Sequence, residues 1–161
     1  MDQVTAAFDA TPRRDFLPRG VRRRASYDGP LEIAAGQTNS QPRTVDDMLR
    51  LLDVRAGQRV LDVGSGSGWT TALLAHLVGP AGSVLGVELE PELVSFGTGN
   101  LARTDRPASR TGRLAAASSG PRTRSSRSAA PITRSTTTWV RYVEGSSGGH
   151  TASVRITTCS E

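Results

Sequence analysis

The chain has 161 residues and a mass of 17.0 kDa, room for one ordinary domain. Hydrophobic residues make up 36% of it, the net charge is +5, and no apolar stretch approaches the ~18 residues of a membrane span, which excludes a membrane-spanning helix. The single cysteine, Cys159, excludes an internal disulfide and a multi-cysteine metal site, and Met1-Asp2-Gln3-Val4-Thr5 is no secretory leader, so a cytoplasmic location is expected.

In chain order, the first periodic signal follows Pro42-Arg43-Thr44. Val45, Met48, Leu49 and Leu52 recur at i, i+3, i+4 and i+7, which predicts an amphipathic helix with Thr44 as N-cap, ending before Ala56-Gly57. Residues 59–63 are short, largely apolar and bounded by Gly57 and Gly64, the pattern of a buried parallel strand. Gly64 to Gly68 form a turn, and residues 70–78, carrying Leu73, Leu74, Leu77 and Val78, read as a helix stopped by Gly79-Pro80. A second strand follows at 83–88, and Pro91 opens another helix. Strand, glycine-rich turn, helix, strand is a βαβ unit, which binds its ligand at the carboxyl ends of its strands.

Composition breaks soon after Asn100-Leu101. Residues 1–105 hold 11 Arg against 13 acidic residues, whereas residues 106–161 hold 9 Arg against Glu144 and Glu161, with 20 Ser or Thr and few large apolar side chains. Such a segment buries too little to offset its ordering entropy. Residues 108–161 are therefore read as a low-complexity or frame-shifted tail, largely disordered, with a marginal hairpin of 139–143 against 152–157. Every basic residue is Arg and none is Lys, a bias expected of a GC-rich genome.

The chemistry is concentrated in Gly64-Ser65-Gly66-Ser67-Gly68. Glycines at alternate positions let the backbone turn sharply and a ligand lie against it, while the next helix presents free N–H groups to an anion. Glu88, 20 positions beyond Gly68, can accept the hydroxyls of an unmodified ribose. A dinucleotide motif starting at Gly64 would need glycine at position 69, which is Trp69. Asp62, at the strand end facing the loop, would repel a pyrophosphate but suit the ammonium and sulfonium of S-adenosylmethionine. That cofactor is favoured over NAD. Trp69 suits packing beneath the loop as well as ligand contact, His76 reads as structural or solvent-facing, and Arg22-Arg23-Arg24 as a solvated charge run.

With these residues in view, the chain resembles the protein-L-isoaspartate O-methyltransferases. Pro12-Arg13-Arg14-Asp15-Phe16 resembles the family's Pro-Arg-x-x-Phe segment, and Tyr27-Asp28-Gly29-Pro30-Leu31 its Tyr-x-Asp-x-Pro-Leu element. Gly36-Gln37-Thr38-Asn39-Ser40-Gln41-Pro42 is similar to the signature Gly-Gln-Thr-Ile-Ser-Gln-Pro, with Asn39 in place of isoleucine. The resemblance implies an incomplete Rossmann-like α/β methyltransferase fold, N-terminal helices plus the first βαβ unit, over residues 1–107. It implies methyl transfer from S-adenosylmethionine to the free carboxylate of isoaspartyl residues in damaged proteins. Ser40 would orient that carboxylate, and Thr38, Asn39, Ser40, Asp62, Gly64, Ser65, Gly66, Gly68 and Glu88 would contact the cofactor. The family's later strands are not found in the tail. Methylation of another acceptor is the alternative within the class. An Arg-rich tail binding nucleic acid is the alternative outside it, ranked low because aromatic residues are sparse there.

Overall fold

Asp2 starts the first helix, α1 (Gln3–Ala10), by accepting at Oδ1 from the N–H groups of Val4 and Thr5 at 3.0 and 3.1 Å. This computed structural model describes residues 2–103, 112–116 and 155–159. Two 3-10 turns, Arg13–Phe16 and Arg19–Arg24, drive Phe16 and Leu17 fully into the interior. A short antiparallel ribbon follows, β1 (Leu31–Glu32) against β2 (Thr38–Asn39).

Helix α2 (Pro42–Leu52) buries Val45, Met48, Leu49 and Leu52, the face that the spacing predicts. Its start differs from expectation. Pro42 occupies the first helical position, where its missing N–H costs nothing, so Gln41 is the cap and Thr44 Oγ1 instead donates to Gln41 Oε1 at 3.2 Å. The helix stops at Leu52, because Asp53 adopts the left-handed region at φ 49°.

Strand β3 (Arg59–Val63) and strand β4 (Ser83–Glu88) have the expected bounds and pair in parallel, Arg59 opposite Ser83 through Val63 opposite Val87. Helix α3 (Trp69–Val78) connects them and is apolar on nearly every side, with Trp69, Ala72, Leu73, Leu74, Leu77 and Val78 all buried. Such a helix is enclosed. It lies between α1 and the sheet face that presents Val60, Asp62 and Val84. Helix α4 (Pro91–Arg103) contributes Leu93 and Leu101 to the interior.

Two strands, β5 (Gly112–Ala116) and β6 (Arg155–Cys159), extend the sheet beyond expectation, giving the order β5-β4-β3-β6. Strand β5 pairs in parallel with β4, and β6 pairs antiparallel with β3. Both are held by backbone pairing to the edges of β4 and β3. The first arm of the expected hairpin, 139–143, and most of the expected disordered tail lie outside the described residues. Residues 155–157 of its second arm belong to β6 and pair with β3. Among the described residues no helix is long and apolar enough to cross a membrane.

Candidate cofactor site

The carboxyl end of β3 runs into the glycine turn, where Gly64, Gly66 and Gly68 have φ of 79°, 53° and 82°. An L side chain rarely adopts such values. Most backbone groups of the turn are tied to the protein. Gly64 and Ser65 donate to Val87 O at 2.8 and 3.2 Å, and Gly68 donates to Ser65 O at 2.8 Å. Asn100 Nδ2 donates to Ser67 O at 2.8 Å, so the Asn100-Leu101 pair at the composition break fastens α4 to the turn.

Gly68 serves helix packing. A Cβ there would lie 3.2 Å from Gly97 O, at a backbone angle that already disfavours one. Gly68→Ala is expected to lower stability by about 1–3 kcal/mol, read as an earlier urea midpoint at unchanged slope.

Asp62 is fully buried beneath the turn. Its Oδ2 accepts from Thr71 Oγ1 at 2.7 Å, whereas Oδ1 has no partner among the described residues. Burial pushes its pKa up to about 6, opposed by the Thr71 hydrogen bond and assisted by the charge of Glu88. Gly86, opposite Asp62 on β4, leaves space for this arrangement, because a Cβ would sit 2.8 Å from Thr71 Oγ1 and 2.9 Å from Ser65 Cβ. Ser65 Oγ is the other buried side-chain polar atom without a partner among the described residues.

Glu88 reaches the turn from the tip of β4. Its Oε2 accepts from Gly66 N at 2.9 Å, and its Oε1 from the N–H groups of Leu89 and Glu90 at 2.7 and 3.2 Å. A carboxylate offers roughly four lone-pair directions. One on Oε2 is therefore left for a ligand, and gripping two hydroxyls at once would require Oε1 to release backbone.

The Thr38-Asn39-Ser40 segment is held against the glycine turn from the other side. Thr38 is exposed, Ser40 is half-buried and Asn39 is buried. Asn39 Nδ2 donates to Ser67 Oγ at 3.0 Å, and Ile33 Cδ1 would lie 3.5 Å from a Cβ at Gly66. Behind this contact stands Arg13. Its Nε donates to Asn39 Oδ1 at 2.6 Å, and its terminal nitrogens donate to the carbonyls of Tyr27, Gly29, Asn39 and Ser40 at 2.8–3.0 Å. Only the Pro-Arg-x-x-Phe resemblance drew attention to Arg13, and nothing in the sequence signals its burial. Trp69 packs beneath the turn: its Nε1 donates to Thr11 O at 3.0 Å, and the Phe8 ring meets it edge-on at 5.5 Å. His76 is exposed. Of the Arg22–Arg24 run, Arg23 and Arg24 are exposed, while Arg22 is half-buried and donates from Nε to Leu17 O.

A glycine-rich strand-to-helix turn with a buried acid beneath it, and a second acid at the tip of the parallel neighbour, defines a Rossmann-like nucleotide-cofactor fold. The chain belongs to the protein-L-isoaspartate(D-aspartate) O-methyltransferase family, whose model matches residues 1–119. It is 47% identical over 103 residues to a protein-L-isoaspartate O-methyltransferase of Methanopyrus kandleri, covering 64% of this chain and 46% of that protein. A counterpart in Aeropyrum pernix is 48% identical over 102 residues, covering 63% of this chain and 39% of its own length. The crystal structure of a Plasmodium falciparum protein-L-isoaspartate O-methyltransferase with S-adenosyl-L-homocysteine superimposes with a TM-score of 0.61 at 27% identity, covering 73% of this chain and 55% of that one. The chain thus spans less than half the length of these two curated relatives.

Proposed function

We propose that this chain carries the cofactor-binding part of a methyltransferase acting on the free carboxylate of isoaspartyl residues in damaged proteins, with S-adenosylmethionine as donor. The observation that carries the reading is the joining of the Thr38-Asn39-Ser40 segment to the glycine turn through Asn39 and Ser67. The donor set suits such a cofactor. Two buried polar atoms, Asp62 Oδ1 and Ser65 Oγ, keep unspent hydrogen-bonding capacity, Glu88 Oε2 keeps one accepting direction, and the start of α3 offers N–H groups to a carboxylate. When bound, S-adenosylmethionine would supply an electrophilic methyl group on a sulfonium.

Within this reading Asp62 lies beneath the loop and acts by its field. Gly64, Ser65, Gly66 and Gly68 shape the bed of the cofactor, Glu88 takes a ribose hydroxyl, and Thr38 and Asn39 border it. The acceptor carboxylate, of pKa ~3.5, is ionised at neutral pH and needs no general base, only alignment. Ser40 supplies that alignment by donating a hydrogen bond. Residues 1–107 form the working domain, to which β5 adds a strand, and the cytoplasm is its expected setting.

The test is calorimetry of the full chain with S-adenosylhomocysteine, followed by labelled methyl transfer to matched isoaspartyl and aspartyl peptides. Transfer to the isoaspartyl peptide alone is expected, and Ser40→Ala is expected to lower that rate at least tenfold while cofactor affinity changes less than threefold. Equal labelling of both peptides would indicate another acceptor. No binding of S-adenosylhomocysteine would overturn the reading.

A further inference from the structure

Arg13 is 5% exposed, and no carboxylate among the described residues forms an ion pair with it. A buried cation without a counter-ion must spend its donors on neutral acceptors. Arg13 does so on two stretches of backbone, Tyr27 to Gly29 and Asn39 to Ser40, and on one side chain, Asn39. The choice of side chain has a directional consequence. A guanidinium donates and never accepts, so Asn39 must turn Oδ1 toward it. The amide NH2 then faces the opposite way, where it meets Ser67 Oγ at 3.0 Å. The contact from Arg13 through Asn39 to Ser67 therefore has one polarity and one orientation. Ser67 is itself 2% exposed, and its carbonyl is held by Asn100, so the turn receives this contact at a fixed point.

We propose that Asn39 is a positioning residue, locking the segment that carries Ser40 to the glycine turn so that acceptor and cofactor loops move as one body. The proposal rests on the functional reading above, but its mechanical part stands on these bonds alone. An isoleucine, which the family signature has at this position, could fill the space but could not join Arg13 to Ser67.

Three substitutions in the full chain separate connection from packing. Asn39→Leu keeps the shape and breaks both bonds. Asn39→Asp keeps the shape, accepts from Arg13 and can accept from the Ser67 hydroxyl. Ser67→Ala breaks only the far end and leaves every acceptor of Arg13 in place, so it stays informative if Asn39→Leu fails to fold. Amide hydrogen exchange is the primary readout because it needs no cofactor. Asn39→Leu and Ser67→Ala are each expected to speed exchange across residues 64–68 at least tenfold, whereas Asn39→Asp stays within threefold of the parent. The Asn39→Leu, Ser67→Ala double variant should be no faster than either single one.

Calorimetry supplies the second readout. Affinity for S-adenosylhomocysteine is expected to fall about tenfold in both single variants, again without further loss in the double. In the parent, S-adenosylhomocysteine should protect residues 38–40 as well as 64–68, and in Ser67→Ala only 64–68. Additive losses in the double variant, unchanged exchange in Ser67→Ala, or an Asn39→Asp variant as loose as Asn39→Leu would each overturn the proposal. A parent chain that binds no S-adenosylhomocysteine would overturn the functional reading, while the exchange data would still decide the mechanical part.

Discussion

Arg13→Met is expected to destabilise the fold by about 3–5 kcal/mol, enough to unfold a marginal domain at 37 °C. The loss comes from what the guanidinium leaves behind. The carbonyls of Tyr27, Gly29, Asn39 and Ser40 and the Oδ1 of Asn39 would keep their desolvation and lose their donors. Burial lowers the Arg13 pKa to about 10, with the charge of Asp28 opposing the shift, so the side chain remains a cation at neutral pH. It also lies over the Trp69 ring, 5.6 Å from the centroid, which favours a flat cation. Arg13→Lys should recover only a minor part, since an ammonium has three donors and no planar fork to span two stretches of backbone. Urea unfolding followed by circular dichroism checks the order parent, Lys, Met. Arg50→Ala serves as a surface control with a small effect, because Arg50 and Asp2 are exposed and Asp46 is only half-buried. A Met variant as stable as that control would contradict the account of Arg13.

With its folded pKa raised to about 6, above the ordinary value near 4, Asp62 holds a proton in the folded state that the unfolded chain releases. Its contribution to stability is thus fully present below about pH 4 and is lost as pH rises through about 6. Roughly two pKa units correspond to about 3 kcal/mol. Subtracting the melting curves of Asp62→Asn from those of the parent between pH 4 and 8 isolates this slope from the other carboxylates. Cofactor affinity should move the opposite way. The ammonium of S-adenosylhomocysteine favours the ionised form, so its binding should weaken toward tenfold per pH unit as pH falls below about 6. In Asp62→Asn that affinity should be lower and flat with pH. A parent whose affinity is constant from pH 5 to 8 would show that the Asp62 charge does not act on the ligand.

Much of the central unit is legible in the sequence. Gly57 and Gly64 bracket β3, and the run before Leu89 delimits β4, but burial alternates along both strands: Val60, Asp62, Val84, Gly86 and Glu88 are buried, whereas Arg59, Ser83 and Leu85 are exposed, so the expectation of a strand buried throughout is corrected to burial of one face. The buried face of α2 follows from its 3.6-residue period, although its start does not, because Pro42 begins the helix before the Thr44 hydroxyl can cap it. The glycine turn and its two acids are adjacent in sequence or one strand apart, and local chemistry is enough to bring them into one reading.

Other features depend on neighbours far along the chain. Strands β5 and β6 acquire their pairing from the edges of β4 and β3, and a sequence window does not contain those edges. Asn39 looks like a small departure from an apolar position until Arg13, 26 residues earlier, and Ser67, 28 residues later, are placed on either side of it.

By itself the sequence determined the βαβ unit, the glycine turn and the placement of Asp62 and Glu88 at strand ends, because each follows from short-range periodicity and backbone freedom; the family came from the resemblance of its motifs. Only the tertiary structure decided that Arg13 is a buried cation with no ion pair among the described residues, that Trp69 packs beneath the turn, and that Asn39 joins the two loops. Burial and hydrogen-bond direction depend on which distant segments meet, and that is settled when the core closes around α3.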